Sequence, residues 1–268
     1  MSDLEIKPIP YRSFKAELID RKRKRRVRKS NISIQEAKYD LNPHELKLLA
    51  YIFTIMYNET GVYKQKTFSL SEFKQILGSK NTSYDHAKRA LQKIKSCSFW
   101  LLNGQDNEIC INFFSSIEMK KGTSEVTVNL QEELIPHLEK NDTLYTTYPL
   151  MYILPMKSKY SIRLYELLRS YLNLRQWRFS IEKIHMQLCL PASYEKFQNF
   201  RRAFIEPAVK EINGFSDILV EYEFIKTGRN YTHIEFKFKS KNEKLKVITE
   251  NDIRIELDGQ TKLYYEKV

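Results

Sequence analysis

The chain of 268 residues carries 45 Lys and Arg against 33 Asp and Glu, a net charge of +12, with three cysteines and seven glycines. Apolar residues make up 42% and aromatic residues 13% of the chain, which excludes a disordered protein and predicts folded domains. The length fits two small domains. The glycines form no GxGxxG or GxxxxGK[ST] spacing. We therefore expect no nucleotide-binding loop and no cofactor.

The same counts bear on compartment and metal binding. Cys97, Cys110 and Cys189 form no CxxC pair, which argues against a disulfide scaffold and a cysteine-rich zinc site. The longest apolar stretch, residues 48–57, has ten residues, half of what a bilayer requires. The first 15 residues are charged and do not resemble a signal peptide. These features predict a cytoplasmic protein that does not contact membranes.

One short segment carries most of the net charge. Residues 21–29 read RKRKRRVRK, so eight of nine side chains are basic. Because like charges repel and resist folding, we predict that residues 1–30 form a flexible basic arm. Contact with DNA phosphates would gain from counterion release, and the alternative is a solubilising tail. The predicted phosphate contacts are Arg21, Lys22, Arg23, Lys24, Arg25, Arg26, Arg28 and Lys29.

A helix-turn-helix pattern follows the arm. Asn42-Pro43 is a helix-start signal, and apolar residues follow it at spacings of three and four. Residues 68–78 predict a short helix with a serine cap and a terminal glycine, and a second, basic amphipathic helix comes next. Strands predicted at 98–102 and 108–114 would form a hairpin. A helix-turn-helix backed by a hairpin is a winged helix.

The same order of patterns repeats about 111 residues later. Residues 179–181 (FSI) stand where residues 68–70 (FSL) stood. A helix is predicted over residues 193–213, with a kink at Pro207 because proline removes a helical hydrogen bond. The agreement of element order, spacing and several identities indicates an internal repeat.

A second hairpin closes the repeat, and an acidic stretch connects the two copies. Strands are predicted at 217–225 and 232–239, joined by a basic turn, whereas the connection predicts a strand at 125–130 and a helix at 131–140. The fold class is therefore α+β, with two tandem winged-helix domains. The predicted organisation is an arm at 1–30, winged helices at 31–148 and 149–240, and a tail of undefined role at 241–268.

Five segments resemble a known family. Residues 27–31 (VRKSN), 37–41 (AKYDL) and 45–49 (ELKLL) resemble the entry to the first winged helix of iteron-binding, RepE/RepB-like initiators of theta-type plasmid replication. Residues 158–168 (SKYSIRLYELL) and 207–213 (PAVKEIN) resemble the second-domain signatures of that family. The dense basic arm and the tail after residue 240 are not recognised family features.

The resemblance implies a DNA-binding protein that is not an enzyme. Such a protein recognises repeated sites in double-stranded DNA at a plasmid origin, opens the duplex nearby and recruits the host replication initiator and helicase. The resemblance also implies a homodimer in equilibrium with a DNA-binding monomer, dimerisation through the first domain and repression of its own gene. A hairpin edge at residues 109–114 is one candidate for the contact between subunits.

A recognition helix buries one face and turns the other toward the major groove. In the second domain we favour Gln198, Asn199 and Arg202 for base readout, because amide and guanidinium groups pair bidentately with adenine and guanine. Lys196 and Arg201 are predicted to hold phosphates. The remaining predicted contacts on this helix and its wing are Ser193, Tyr194, Lys226, Arg229 and Asn230. The alternative is an ordinary solvated helix face.

Two further sets of contacts are predicted. Lys157, Lys159 and Arg163 stand at the start of a helix, whose amides can bind phosphate, so we predict a backbone clamp there. The equivalent recognition face in the first domain comprises Lys80, Asn81, Ser83, Tyr84, His86, Arg89 and Lys93.

Two alternatives concern function. A nicking enzyme would need a nucleophile beside a metal site, but the five histidines are far apart in the sequence and mark no tyrosine as a nucleophile, so we expect no catalytic or metal-binding residues. A transcriptional regulator with tandem winged helices would present the same DNA surface. The DNA beside the gene discriminates the two, since direct repeats next to an AT-rich stretch favour an initiator.

Overall fold

The first domain is organised around a helix whose start is fixed by local sequence. In this computed structural model, which describes residues 11–57, 61–78, 84–103, 107–136, 138 and 145–241, α3 spans Pro43–Ile55. The Asn42 side chain accepts hydrogen bonds from the amides of His44 and Glu45, and Glu45 accepts one from the Asn42 amide. This capping box satisfies amides that the first helical turn leaves without partners.

The two helices of the first helix-turn-helix form as predicted, and the turn between them lies outside the described residues. Helix α4 (Leu70–Leu77) is capped by Ser69 and ends at Gly78, whose φ of 68° is readily adopted only by glycine. Helix α5 (Tyr84–Ser96) buries Ala87, Ala90, Leu91 and Ile94 on one face.

The predicted wing of the first domain is wrong. Strands β3 (Ser98–Asn103) and β4 (Asn107–Asn112) do pair, but they form a separate two-stranded hairpin. Phe113 and Phe114 are both buried. Consecutive side chains of one strand point to opposite faces, so the chain changes direction there and a new strand begins at Phe114.

The three-stranded sheet of this domain contains β2 (Gln65–Ser69), β5 (Phe114–Met119) and β6 (Glu125–Leu130), in the order β2-β6-β5. Its wing is therefore the β5–β6 hairpin. Only a short 3₁₀ turn at Glu132–Leu134 is found in the described part of the helix predicted at 131–140.

The second domain repeats this connectivity. Helix α6 (Lys159–Ser170) precedes β8 (Gln176–Ser180) and α7 (Ile181–Gln187), which is capped by Ser180 as α4 is capped by Ser69. Strands β9 (Ile218–Thr227) and β10 (Asn230–Ser240) complete a sheet of order β8-β10-β9. The identical sheet order confirms the internal repeat and the two winged-helix domains.

The recognition helix of the second domain starts later than predicted. Residues Ala192–Glu195 form a 3₁₀ turn. The helix then runs without a break through α8 (Phe197–Asn199), a π-helical turn (Phe200–Ile205) and α9 (Glu206–Phe215). We call this whole segment the 197–215 helix.

The basic segment is not a mobile arm in its described part. Residues Tyr11–Arg23 form helix α1 and Arg26–Ser30 form strand β1, which leads into helix α2 (Asn31–Gln35). Strand β1 pairs antiparallel with β7 (Tyr145–Pro149), a strand that the sequence did not predict. The arm prediction fails because every second residue of β1 from Val27 is buried, so the segment has a core-facing side in spite of its charge. Residues 1–10 and the tail beyond residue 241 lie outside the described residues.

Candidate nucleic-acid interface

The 197–215 helix presents polar residues on the side opposite its core. Phe200 and Phe204 are fully buried, whereas Gln198, Asn199 and Arg202 are exposed. Asn199 is also used locally, because its Nδ2 donates to the Ser193 carbonyl at 2.8 Å and closes the loop before the helix. Gln198 and Arg202 lie four residues apart and hence on one face. The structure thus brings together the three residues predicted to read bases.

The neighbouring predicted contacts differ in their surroundings. Ser193 and Lys196 are exposed, as a DNA contact requires. Tyr194 is half-buried, and its ring packs against Tyr160 and Phe204. Tyr194 therefore contributes to the core at least as much as to the surface.

The wing of the second domain is tied to this helix by aromatic rings. Phe197 stacks on Tyr231 with ring centroids 4.0 Å apart and planes 10° from parallel. Lys226 Nζ lies 4.7 Å from the centroid of Tyr231. Arg229 and Asn230 are exposed at the tip, where Gly228 supplies a φ of 63° for a two-residue turn. The wing and the helix thus form one basic surface.

The first domain has an equivalent face on α5. Tyr84, His86, Arg89 and Lys93 are exposed, and Lys93 Nζ also lies 3.7 Å from a carboxylate oxygen of Glu45. Lys80, Asn81 and Ser83 lie outside the described residues. The exposed face also contains Lys88 and Gln92, two residues that the prediction omitted although helical spacing places them beside the others.

Two histidines that are far apart in the sequence meet beside this face. The rings of His44 on α3 and His86 on α5 have centroids 5.0 Å apart. Burial lowers the pKa of His44, and the nearby His86 and Lys47 lower it further. No local motif in the sequence marks this pair, because it depends on the packing of α3 against α5.

The predicted phosphate clamp at the start of α6 is wrong. Glu211 accepts hydrogen bonds from the amides of Lys157 and Ser158, at 2.9 and 3.3 Å. A carboxylate therefore occupies the position where a phosphate would bind. Lys159 Nζ pairs with Asp40 at 2.5 Å.

Arg163 is also not a surface residue. It is 5% exposed and donates to the Tyr39 hydroxyl and the Ala37 carbonyl. Of the three residues predicted for the clamp, only Lys157 is exposed. The residues to which the other two donate hydrogen bonds precede them by more than 100 positions, which is why their role was not visible in the sequence.

Three cations of the basic run at residues 21–29 bind α4, the first helix of the helix-turn-helix in the first domain. Lys22 Nζ lies 2.7 Å from Glu72 and Arg25 lies 3.7 Å from it. Arg23 Nε donates to the Ile76 carbonyl at 2.7 Å, in the last turn of α4. Burial of Glu72 would raise its pKa, but the hydrogen bond from Lys22 and the neighbouring cations hold that pKa below its ordinary value.

Other cations of the run stabilise β1. Arg26 donates to the Thr147 hydroxyl, and Arg28 lies over the Tyr145 ring, 3.9 Å from its centroid. Lys29 is buried and pairs with Glu166 at 2.7 Å. The exposed side chains of Arg21 and Lys24 each form an ion pair with an acidic residue of α1, Glu17 and Asp20 respectively. The prediction that all eight cations serve a phosphate-binding arm is therefore corrected, because most of them have partners within the fold.

A groove that the sequence did not reveal lies next to β1. Its volume is about 710 Å³, and its lining includes Arg25, Arg26, Lys66, Tyr57 and Tyr63. These residues come from three separate segments. Only the folded chain brings them together.

Within the described ranges, no group of three or more His, Cys, Asp and Glu side chains is arranged to hold a metal ion. No helix in the described part of the chain has both the length and the apolar character that spanning a bilayer requires.

Comparisons with known proteins agree with this architecture. Residues 26–169 match the family described as "Initiator Replication protein, WH1", and residues 180–238 match "Initiator Rep protein, WH2". A "Replication initiation protein" of Escherichia coli is 23% identical over 193 residues, which is 68% of this chain. The match spans 60% of the length of that curated relative.

A solved structure has the same fold. The crystal structure of Pi initiator protein in complex with iteron DNA superimposes with a TM-score of 0.67 and 15% sequence identity. The match covers 82% of this chain and 99% of that one.

Proposed function

The chain belongs to the family of initiator replication proteins with WH1 and WH2 domains, and we propose that it is a plasmid replication initiator. In this proposal it binds direct repeats, or iterons, in the double-stranded DNA of the origin. The relatives described as a replication initiation protein and as an initiator in complex with iteron DNA support the assignment.

The observation that carries the proposal is the exposed polar face of the 197–215 helix beside a basic wing. Gln198, Asn199 and Arg202 face outward from a helix whose opposite side is core. In a winged helix this face enters the major groove, and the wing reaches the neighbouring backbone. We assign base reading to these three residues and phosphate contact to Lys196 and Arg229.

The first domain provides the second DNA contact. Its α5 carries the exposed side chains of Lys88, Arg89 and Lys93. Two recognition helices in one chain fit a repeat of roughly two duplex turns, about twenty base pairs. Several copies bound in series would deform the neighbouring AT-rich duplex. The free energy of protein–DNA binding, and not a catalysed reaction, would drive its opening.

We assign the energy-requiring steps to host proteins. The sequence contains no phosphate-binding nucleotide loop, so an ATP-driven helicase has to be recruited. The proposal includes contact with the host replication initiator and helicase and repression of the protein's own gene. It also includes a homodimer, with the β3–β4 hairpin as its contact. Trp100, which is 59% exposed on β3, supports that choice of surface.

A footprint on the DNA that flanks the gene tests the function. Protection of several direct repeats beside an AT-rich stretch, together with replication of that fragment only when the protein is supplied, is the expected result. Protection of one inverted repeat in front of another gene, without replication, would instead identify a transcriptional regulator. Incubation with Mg²⁺ and supercoiled origin plasmid should leave the plasmid supercoiled, because we propose no nicking activity.

A further inference from the structure

The 197–215 helix contains a widened turn. Residues Phe200–Ile205 are π-helical, and the Glu206 amide donates to the carbonyl of Arg201, five residues earlier. An α-helix closes each hydrogen bond over four residues. A π-helical turn adds one residue, and such turns are frequent at functional sites. The half of the helix before this turn is therefore rotated by about 100° relative to the half that follows it.

The pattern of burial shows what this rotation does. In a regular helix, counting back three turns of 3.6 residues from the buried Ile212 leads to position 201. A regular helix would thus turn Arg201 toward the core. In the structure the Arg201 side chain is 55% exposed, and Phe200 takes the core position with no exposure. The widened turn therefore decides which side chains of the first half face outward.

Two features of the sequence hold the turn open. Pro207 has no amide hydrogen, and its ring would crowd the carbonyl of Ala203 in a regular helix. Arg201 Nε donates to Glu206 Oε1 at 2.9 Å. Residues five apart lie about 140° apart around an α-helix, whereas they stack on one side of a π-helical turn. The Arg201–Glu206 pair is therefore formed only when the turn is wide.

We propose that this π-helical turn determines DNA sequence specificity. Pro207 and the Arg201–Glu206 pair set the rotation at which Gln198 and Arg202 meet the base edges. Arg201 is then a positioning residue that acts through Glu206, not the phosphate contact that the sequence predicted. The inference rests on the proposed function, because it concerns how the same helix reads DNA.

Glu206 provides the sharpest test. Its carboxylate is 42% exposed, so Glu206→Ala is compatible with folding. Loss of a negative charge beside DNA favours binding to any sequence, whereas loss of the positioning pair lowers discrimination. We expect Glu206→Ala to lower the ratio of affinities for an iteron duplex and a scrambled duplex by about tenfold. Its affinity for the scrambled duplex should be unchanged or higher. Fluorescence anisotropy with both labelled duplexes measures the ratio.

Exchange of the two charges separates positioning from phosphate contact. Arg201→Glu should lower the ratio, and the double variant Arg201→Glu/Glu206→Arg should restore it, because the pair forms again in the opposite sense. Pro207→Ala, which lets the helix wind regularly, should also lower the ratio. Lys210→Ala, at an exposed position of α9, is the matched control and should leave it unchanged.

The outcomes distinguish this inference from the proposed function. Discrimination that stays within about twofold of wild type in the Glu206→Ala and Pro207→Ala variants would overturn the inference alone. Arg201→Glu that weakens binding to both duplexes equally, and so leaves the ratio unchanged, would identify Arg201 as a phosphate contact and would also overturn the inference. A wild-type protein that binds both duplexes equally would overturn the proposed function itself.

Discussion

Lys29 Nζ lies 2.7 Å from a carboxylate oxygen of Glu166, and both side chains are buried. Strand β1 supplies the lysine and α6 the glutamate, so the pair joins the entry of the first winged helix to the first helix of the second. The Tyr148 hydroxyl donates to the same oxygen of Glu166. Burial and the nearby Glu166 raise the pKa of Tyr148 well above its ordinary value, so the hydroxyl remains a donor.

This pair predicts a large loss of stability when one partner is removed. Lys29→Met leaves the charge of Glu166 buried without its ammonium partner and should lower the free energy of unfolding by about 3–5 kcal/mol. Lys29→Met/Glu166→Met should cost less than the single change, because the buried carboxylate is removed together with its ammonium partner. Arg163, whose guanidinium lies 3.8 Å from Glu166, keeps its hydrogen bonds to Tyr39 and Ala37. Urea denaturation measures the stability of both variants. Lys24→Met is the control, since its exposed ion pair should contribute about 1 kcal/mol or less. A Lys29→Met protein as stable as the control would show that the lysine is not part of the core.

Arg202 and Lys210 should respond differently to substitution. Arg202→Ala removes a proposed bidentate base contact and should cost about 1–3 kcal/mol on the iteron duplex, with a much smaller loss on scrambled DNA. Lys210→Ala should affect the two duplexes alike. Competition binding measures both effects. Equal losses on both duplexes after Arg202→Ala would count against base reading.

The wing predicts a change in salt dependence. Arg229→Ala should weaken binding to all sequences and lower the slope of log K against log salt concentration by about 1, as expected for one lost phosphate contact. Lys239→Ala is the matched control. Lys239 lies at the other end of β10, nine residues or roughly 30 Å from Asn230 at the wing. If the Arg229→Ala and Lys239→Ala variants both keep the wild-type salt slope, Arg229 does not contact a DNA phosphate.

His44 predicts that stability falls in mild acid. Burial, His86 and Lys47 lower the pKa of His44 in the folded protein, whereas the unfolded chain titrates near 6.5. Below that pH the unfolded state binds more protons, so the stabilising contribution is present above pH 6.5 and is lost as the pH falls toward the folded pKa. His44→Gln should reduce the slope of unfolding free energy against pH. Burial also lowers the pKa of His185, so only the double His44→Gln/His185→Gln variant should remove both contributions. If His44→Gln leaves the slope of unfolding free energy against pH unchanged, the proposed contribution of His44 to acid sensitivity is contradicted.

Local signals in the sequence predicted the repeated units well. The serine caps of α4 and α7, the glycine that ends α4 and the buried face of α5 depend on residues a few positions apart. Such patterns can be read from one sequence. The two winged helices followed from them, and so did our prediction of which exposed residues of the second domain read bases.

Long-range partners explain the errors. Strand β1 pairs with β7, which lies more than 100 residues later in the chain. Arg163 donates a hydrogen bond to Tyr39 across a similar separation. The charge of the β1 segment alone suggested a flexible arm. The charge of Arg163 likewise suggested a phosphate contact. Neither partner is indicated by local spacing.

One missed feature did leave a signal in the sequence. Phe200, Phe204, Ala208 and Ile212 are buried and spaced by four residues throughout. In a regular α-helix, side chains four residues apart differ in direction by about 40°. Four buried residues at this spacing can therefore share one face only if the helix is locally unwound. The π-helical turn before Pro207 provides this unwinding. Where the sequence predicted a kink at Pro207, the structure has a π-helical turn that ends two residues before it.

The central claim is that the chain reads the sequence of double-stranded DNA through the 197–215 helix. The most direct measurement is the affinity of the wild-type protein for a duplex containing one repeat from the DNA beside its gene and for a scrambled duplex, at one fixed salt concentration. The account predicts binding to the repeat that is at least about 10³-fold tighter, with most of that advantage lost in the Gln198→Ala/Arg202→Ala variant. Equal affinity for the two duplexes, or full discrimination by the double variant, would contradict it.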